Sequence, residues 1–187
     1  MINEDLLDLA REVGKFNVLV ADPAWAYRSV RTGGTFKSGS AQHYPTMSLE
    51  EIVNLPIKQI SQRNALLFLW VTTPLKIDIA ESGIVKRWGY DYKTTLYWRK
   101  KNFGLGHWFR GVMEECWVCT RGKVPPLKIQ KANIIECKAE KHSRKPVEFF
   151  ELIEPRLDEM GFNDRLELFA RKRRPGYYCY GNEVKHD

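Results

Sequence analysis

Four cysteines in 187 residues are too few to staple a fold with disulfides, so the chain reads as a protein of a reducing, cytoplasmic setting. Long apolar runs are also missing. The longest of note, ALLFLWV at 65–71, falls far short of the roughly 18 residues that a membrane span needs. The N-terminus, MINEDLLDL, is acidic and therefore unlike a secretory or mitochondrial leader. No internal repeat, low-complexity tract or linker interrupts the chain, which reads as one domain over 1–187. A glycine-rich nucleotide loop is lacking as well. GLGH at 104–107 stands alone, with no helix clearly following it.

What is present is a globular composition, 43% hydrophobic and 12% aromatic, with a net charge of +7. Basic residues gather at 99–101, 138–145 and 171–174. Taken singly each cluster is an ordinary solvated face; sharing one rim, they would suit a nucleic-acid backbone.

The patterning alternates strands with helices. FNVLVA (16–21), ALLFLWVTT (65–73), YKTTLYWRK (92–100), EECWVCTR (114–121), NIIECK (133–138) and RLELFAR (165–171) read as strands. Ser48 and Glu51 form a capping box before a short helix that Pro56 ends. Pro74 opens an amphipathic helix weakened by Gly83. Pro146 opens another, kinked or broken near Pro155 and stopped at Gly161. This order predicts an α/β domain with a mostly parallel sheet and ligands at the carboxyl ends of its strands, where Asp22 and Arg171 both fall.

The informative stretch is VLVADPAWAY at 18–27. A structural turn, with Asp22 capping and Pro23 setting φ, explains the first residues. The aromatic at 25 suggests more. An exocyclic amine on a planar base is a poor nucleophile because its lone pair is delocalised into the ring. Held by the Asp22 carboxylate and the Pro23 carbonyl, such a nitrogen can pyramidalise, while Trp25 stacks on the base.

ADPAW resembles the Asp-Pro-Pro-Trp signature of the adenine N6 amino methyltransferases related to the catalytic subunit of the eukaryotic messenger-RNA N6-adenosine methyltransferase, in its prokaryotic and phage form. The resemblance runs over about 14–184 and includes GKF, YPTMSLEEI (44–52), LFLWVTTPL (67–75), RWGYDY (87–92), GHWFRGVMEECWVCTRGK (106–123), SRKPVEFFELIE (143–154), RLELFAR and YGNEV (180–184). It implies a Rossmann-like fold in permuted order, catalytic strand first and cofactor strand last, with helices on both faces of the sheet. It implies S-adenosyl-L-methionine as cofactor and adenine N6 in nucleic acid as substrate, DNA ahead of RNA. The methyl would pass directly from sulfonium to amine, with no metal.

Carried over residue by residue, the resemblance makes Asp22, Pro23, Ala24 and Trp25 the catalytic turn. Ala24 stands where the family has a second proline, which loosens φ and adds an N–H. Asp22, Lys145, Phe169, Arg171, Asn182 and Glu183 become cofactor contacts. Trp25, Tyr44, Lys141 and Arg144 become substrate contacts, with Arg173 and Arg174 beside them on phosphates. Without the family, Tyr44 would be a turn-packing ring and Lys145 a solvated lysine. His107 and Trp108 match a Gly-His-Trp loop and are read as structural. Asp5 is the candidate in the poorly matched N-terminal segment. Cys116 and Cys119 have zinc-like spacing but lie in a strand, where i and i+3 face opposite ways, so no metal is expected there. Cytosine N4 methylation, RNA as substrate and a non-catalytic nucleic-acid-binding subunit are the alternatives. A homodimer or a partner subunit is compatible with all of them.

Overall fold

The structure is a computed structural model, and it describes residues 2–25, 47–102, 108–138, 145–181 and 184. Its centre is a seven-stranded sheet in the order β5-β3-β4-β2-β1-β6-β7. The strands are β1 (Phe16–Ala21), β2 (Ser61–Val71), β3 (Asp91–Lys100), β4 (Met113–Arg121), β5 (Ile134–Cys137), β6 (Arg165–Leu168) and β7 (Tyr178–Tyr180). Four neighbouring pairs are parallel, whereas β4 runs antiparallel to both β2 and β3. The expected mostly parallel α/β sheet is therefore present, with an antiparallel hairpin built into one half.

All six residues of β1 are buried because both faces of the strand are covered. Leu19 and Ala21 face a core shared with α1 (Ile2–Val13), α2 (Leu49–Val53), α3 (Ile57–Ile60), α4 (Lys76–Glu81) and α5 (Ile84–Arg87). Val18 and Val20 face the other core, filled by Phe149, Phe150, Ile153 and Leu157 of α6 (Val147–Glu159). β1 leads through α2 and α3 to β2 on one side, while β6, entered from α6, pairs on the other. The carboxyl end of β1 is thus a topological switch point, where such sheets bind ligands.

Local chemistry explains most boundaries. The Ser48 hydroxyl accepts the Glu51 N–H and the Glu51 carboxylate accepts the Ser48 N–H, the capping box expected from sequence. The helix expected after Pro74 is divided: a 3-10 turn over Thr73–Leu75, then α4, then α5. Gly83, at φ 67°, makes the break because L side chains resist that conformation. Pro155 does not break α6, contrary to expectation. It lies on the exposed side, where the carbonyl it leaves unpaired can turn to water. RLELFAR is shorter as a strand than its pattern suggests. Phe169 adopts φ 62° and turns the chain out of the sheet, which places Arg171 beyond β6. Helix α1, which buries Leu6, was not anticipated. Cys116 and Cys119 do fall on opposite faces, one in each core. Among the described residues, no helix is long and apolar enough to cross a membrane.

Candidate active site

At the end of β1 the Asp22 N–H donates to the Leu168 carbonyl at 3.4 Å, which ties the turn to the end of β6. Two residues on, the Trp25 N–H donates to the Pro23 carbonyl at 2.9 Å, closing a three-residue turn about Ala24. The Trp25 indole N–H donates to the Trp70 carbonyl at 3.2 Å, and the ring is only 6% exposed within the helix-side core. The buried ring anchors the turn, and Trp25 also lines a hollow with Ser48, Leu49, Val53, Leu75 and Ile79. Pro23 retains one carbonyl lone pair after serving Trp25.

Lys145 stands just before α6 and reaches across the sheet end. Its Nζ lies 2.8 Å from Asp22 Oδ1 and 2.9 Å from Glu114 Oε2, and 5.1 Å from the centre of the Trp70 ring. Lys100 completes the chain on the other Glu114 oxygen. The side chains of Lys145, Glu114 and Asp22 are 13, 21 and 23% exposed, so these charges are poorly screened. Burial pushes the Asp22 carboxyl above its usual range, and the Lys145 ammonium draws it only part of the way back. Burial alone would lower Lys145, yet Asp22 and Glu114 outweigh it and hold the ammonium above its ordinary value. For Glu114 burial is likewise outweighed, by Lys145 and Lys100, and its carboxyl sits low.

Asp22, Lys145, Phe169 and Arg171 line one hollow with Val20, Glu167 and Leu168. Residues separated by some 150 positions are therefore brought together, as the strand-end argument requires. Arg174 is also at this hollow. Its guanidinium carbon lies 3.2 Å from the centre of the Phe150 ring, and Nε lies 3.1 Å from Glu167 Oε2. An arginine so stacked and paired is already engaged within the protein. Asp5 accepts a hydrogen bond from the Tyr180 hydroxyl at 2.9 Å, joining α1 to β7. Trp108, read as structural, is 94% exposed and packs into neither core. Tyr44, His107, Lys141, Arg144, Asn182 and Glu183 lie outside the described residues.

Two participants escaped the sequence reading. Glu114 and Lys100 sit in strands β4 and β3, where EECWVCTR and YKTTLYWRK signal secondary structure rather than chemistry. The usable signal was topological: β4 enters the sheet at the end where β1 and β2 leave it, as the pairing of Val71 with Glu115 shows.

The lining of the hollow mixes acid, base and an aromatic ring: Asp22, the cations of Lys145 and Arg171, and Phe169. The mixed, mostly parallel sheet with this hollow at its switch point is consistent with the Rossmann-like methyltransferase class. Within it, the chain belongs to the MT-A70 family, whose model it matches over residues 16–183. It is 27% identical over 187 residues to the type II methyltransferase M.MunI of a Mycoplasma species, an alignment covering 91% of this chain and 78% of that protein. It is 28% identical to the N6-methyladenosine RNA methyltransferase MTA1 of Pyricularia oryzae, over 99% of this chain and 51% of that one. It is 27% identical to the N(6)-adenine-specific methyltransferase METTL4 of Mus musculus, over 90 and 37%. The chain thus spans about half or less of the latter two relatives.

Proposed function

We propose that the protein transfers a methyl group from S-adenosyl-L-methionine to the exocyclic N6 of adenine in nucleic acid. The observation that carries this reading is the Asp22–Lys145–Glu114 chain at the switch point, in a chain whose relatives include two named for adenine N6 methylation, MTA1 and METTL4. DNA is put first because M.MunI, whose length this chain nearly spans, is named a type II methyltransferase.

Asp22, Lys145, Phe169 and Arg171 would hold the cofactor, with Asn182 and Glu183 on its ribose. When bound, S-adenosyl-L-methionine supplies an electrophilic methyl on a sulfonium. The protein's part is to prepare the amine. The Asp22 carboxylate accepts one N–H, and the remaining lone pair of the Pro23 carbonyl accepts the other. The nitrogen lone pair is thereby released from the ring. Lys145 keeps the Asp22 carboxylate ionised and fixed against a burial that favours its protonation. The proton leaves N6 once the nitrogen has four bonds and is strongly acidic, so water suffices to accept it. Tyr44, Lys141 and Arg144 would contact the substrate.

Transfer of radiolabelled methyl onto DNA and RNA oligonucleotides, followed by nucleoside identification, tests the proposal. Label in N6-methyladenine supports it. Label in N4-methylcytosine, or tight cofactor binding with no transfer to any nucleic acid, overturns it.

A further inference from the structure

Five of the six tryptophans are no more than 7% exposed, whereas Trp108 is 94% exposed and its neighbour Phe109 90%. Two large rings exposed at consecutive positions form an uncommon surface, the kind that marks a binding site. They stand on the connection between β3 and β4, whose base is fixed. The Lys100 N–H donates to the Val112 carbonyl at 2.7 Å, and Arg99 pairs with Met113 in the ladder. The next residue, Glu114, touches Lys145. The aromatic pair therefore rises from the same sheet edge that carries Asp22.

Its charge environment is one-sided. Residues 99–113 contain Arg99, Lys100, Lys101 and Arg110 and no acid. Arg99 is engaged with Glu136 and Lys100 with Glu114, while Lys101 and Arg110 are exposed. Rings interleaved with cations match a strand in which each base brings its own phosphate. Trp25, by contrast, is largely buried, its indole N–H tied to the Trp70 carbonyl.

We infer that Trp108 and Phe109 are a stacking platform for bases next to the target adenine, with Lys101 and Arg110 on the adjoining phosphates. This rests on the nucleic-acid reading above and names the surface that holds the strand. Trp108 is the sole exposed tryptophan, so the acrylamide-quenchable part of the protein's indole emission reports on it alone. A single-stranded adenine-containing deoxyoligonucleotide should quench that emission and shield it from acrylamide. An abasic strand with the same phosphates should do neither.

In the double variant Trp108→Ala/Phe109→Ala, oligonucleotide affinity measured by anisotropy should fall about 5- to 150-fold, the effect of losing one good stack. The melting temperature should not move, since both rings are exposed. Undiminished affinity in that variant, or equal quenching by the abasic strand, overturns the inference while leaving methyl transfer by the wild type intact. Self-association by sedimentation that the variant abolishes, without change in oligonucleotide binding, would mean a protein surface covers the rings, and overturns it too. A wild type that neither binds nor methylates any oligonucleotide refutes the functional reading beneath it.

Discussion

Replacing Lys145 with methionine removes one ammonium from between two carboxylates and keeps most of the side-chain volume. Asp22 and Glu114 then face each other with Lys100, bound to the far oxygen of Glu114, and Arg171, which acts on Asp22. Taking one partner from a buried ion pair costs about 3 kcal/mol. Losing the cation over the Trp70 ring adds about 1 kcal/mol. For a domain of this size each kcal/mol moves the melting temperature by about 2–4 °C, so Lys145→Met should melt about 8–16 °C below wild type. The deficit depends on pH. Without Lys145 the Asp22 carboxyl, already raised by burial, rises further, and a raised acid contributes stability below its unfolded value that is lost as pH rises through the folded one. The variant should therefore lag wild type more at pH 8 than at pH 5. Adding Glu114→Gln to it should recover part of the loss, because one of the stranded charges is gone. Thermal unfolding followed by circular dichroism reads all three. A variant as stable as wild type, or a double variant whose losses simply add, would refute the view that these three groups form one electrostatic unit.

Asp22→Asn should fold normally yet lower methyl transfer roughly 100-fold or more, because the amine loses its charged acceptor; tritiated-methyl assays beside a melting curve check both halves. Glu114 sits below its ordinary value near 4.5, so its contribution is present above that pH and lost as pH falls through the folded value. The stability gap between wild type and Glu114→Gln should accordingly be widest above about pH 5 and close in stronger acid, as urea titrations across pH will show. Ala24→Pro should stabilise by about 0.4–1 kcal/mol. The bond from Trp25 N–H to Pro23 O makes Ala24 the centre of a tight turn, and its φ is negative, as proline requires; a lower melting temperature would contradict that geometry. Gly181→Ala should cost about 1–3 kcal/mol in chemical denaturation, since an added Cβ would run into the Ala170 backbone.

Much of this molecule was legible before its structure, for identifiable reasons. A strand buried on both faces writes itself as an unbroken apolar run, which is why FNVLVA fell exactly where β1 lies. The Ser48–Glu51 box is equally local. Asp22 was legible because a carboxylate closing such a run has few structural duties. Features that depend on the rest of the fold were not legible. No local pattern distinguishes a tryptophan that plugs a core, as Trp25 does, from one left in solvent, as Trp108 is. Nor could Glu114 be separated from the ordinary polar residues of a strand, since its partner Lys145 lies 31 positions away and meets it only across the sheet. The backbone turn at Phe169 was not legible either: a positive φ at a bulky residue defies its own propensity and is imposed by the surrounding chain.

The permuted strand order has a consequence for how the protein is made. β6, which covers the second edge of β1, leaves the ribosome almost 150 residues after it. Until then this apolar strand exposes unpaired amides to any chain nearby. Nascent or prematurely terminated copies should therefore aggregate through that edge, and a synthetic peptide spanning 165–171 should suppress it.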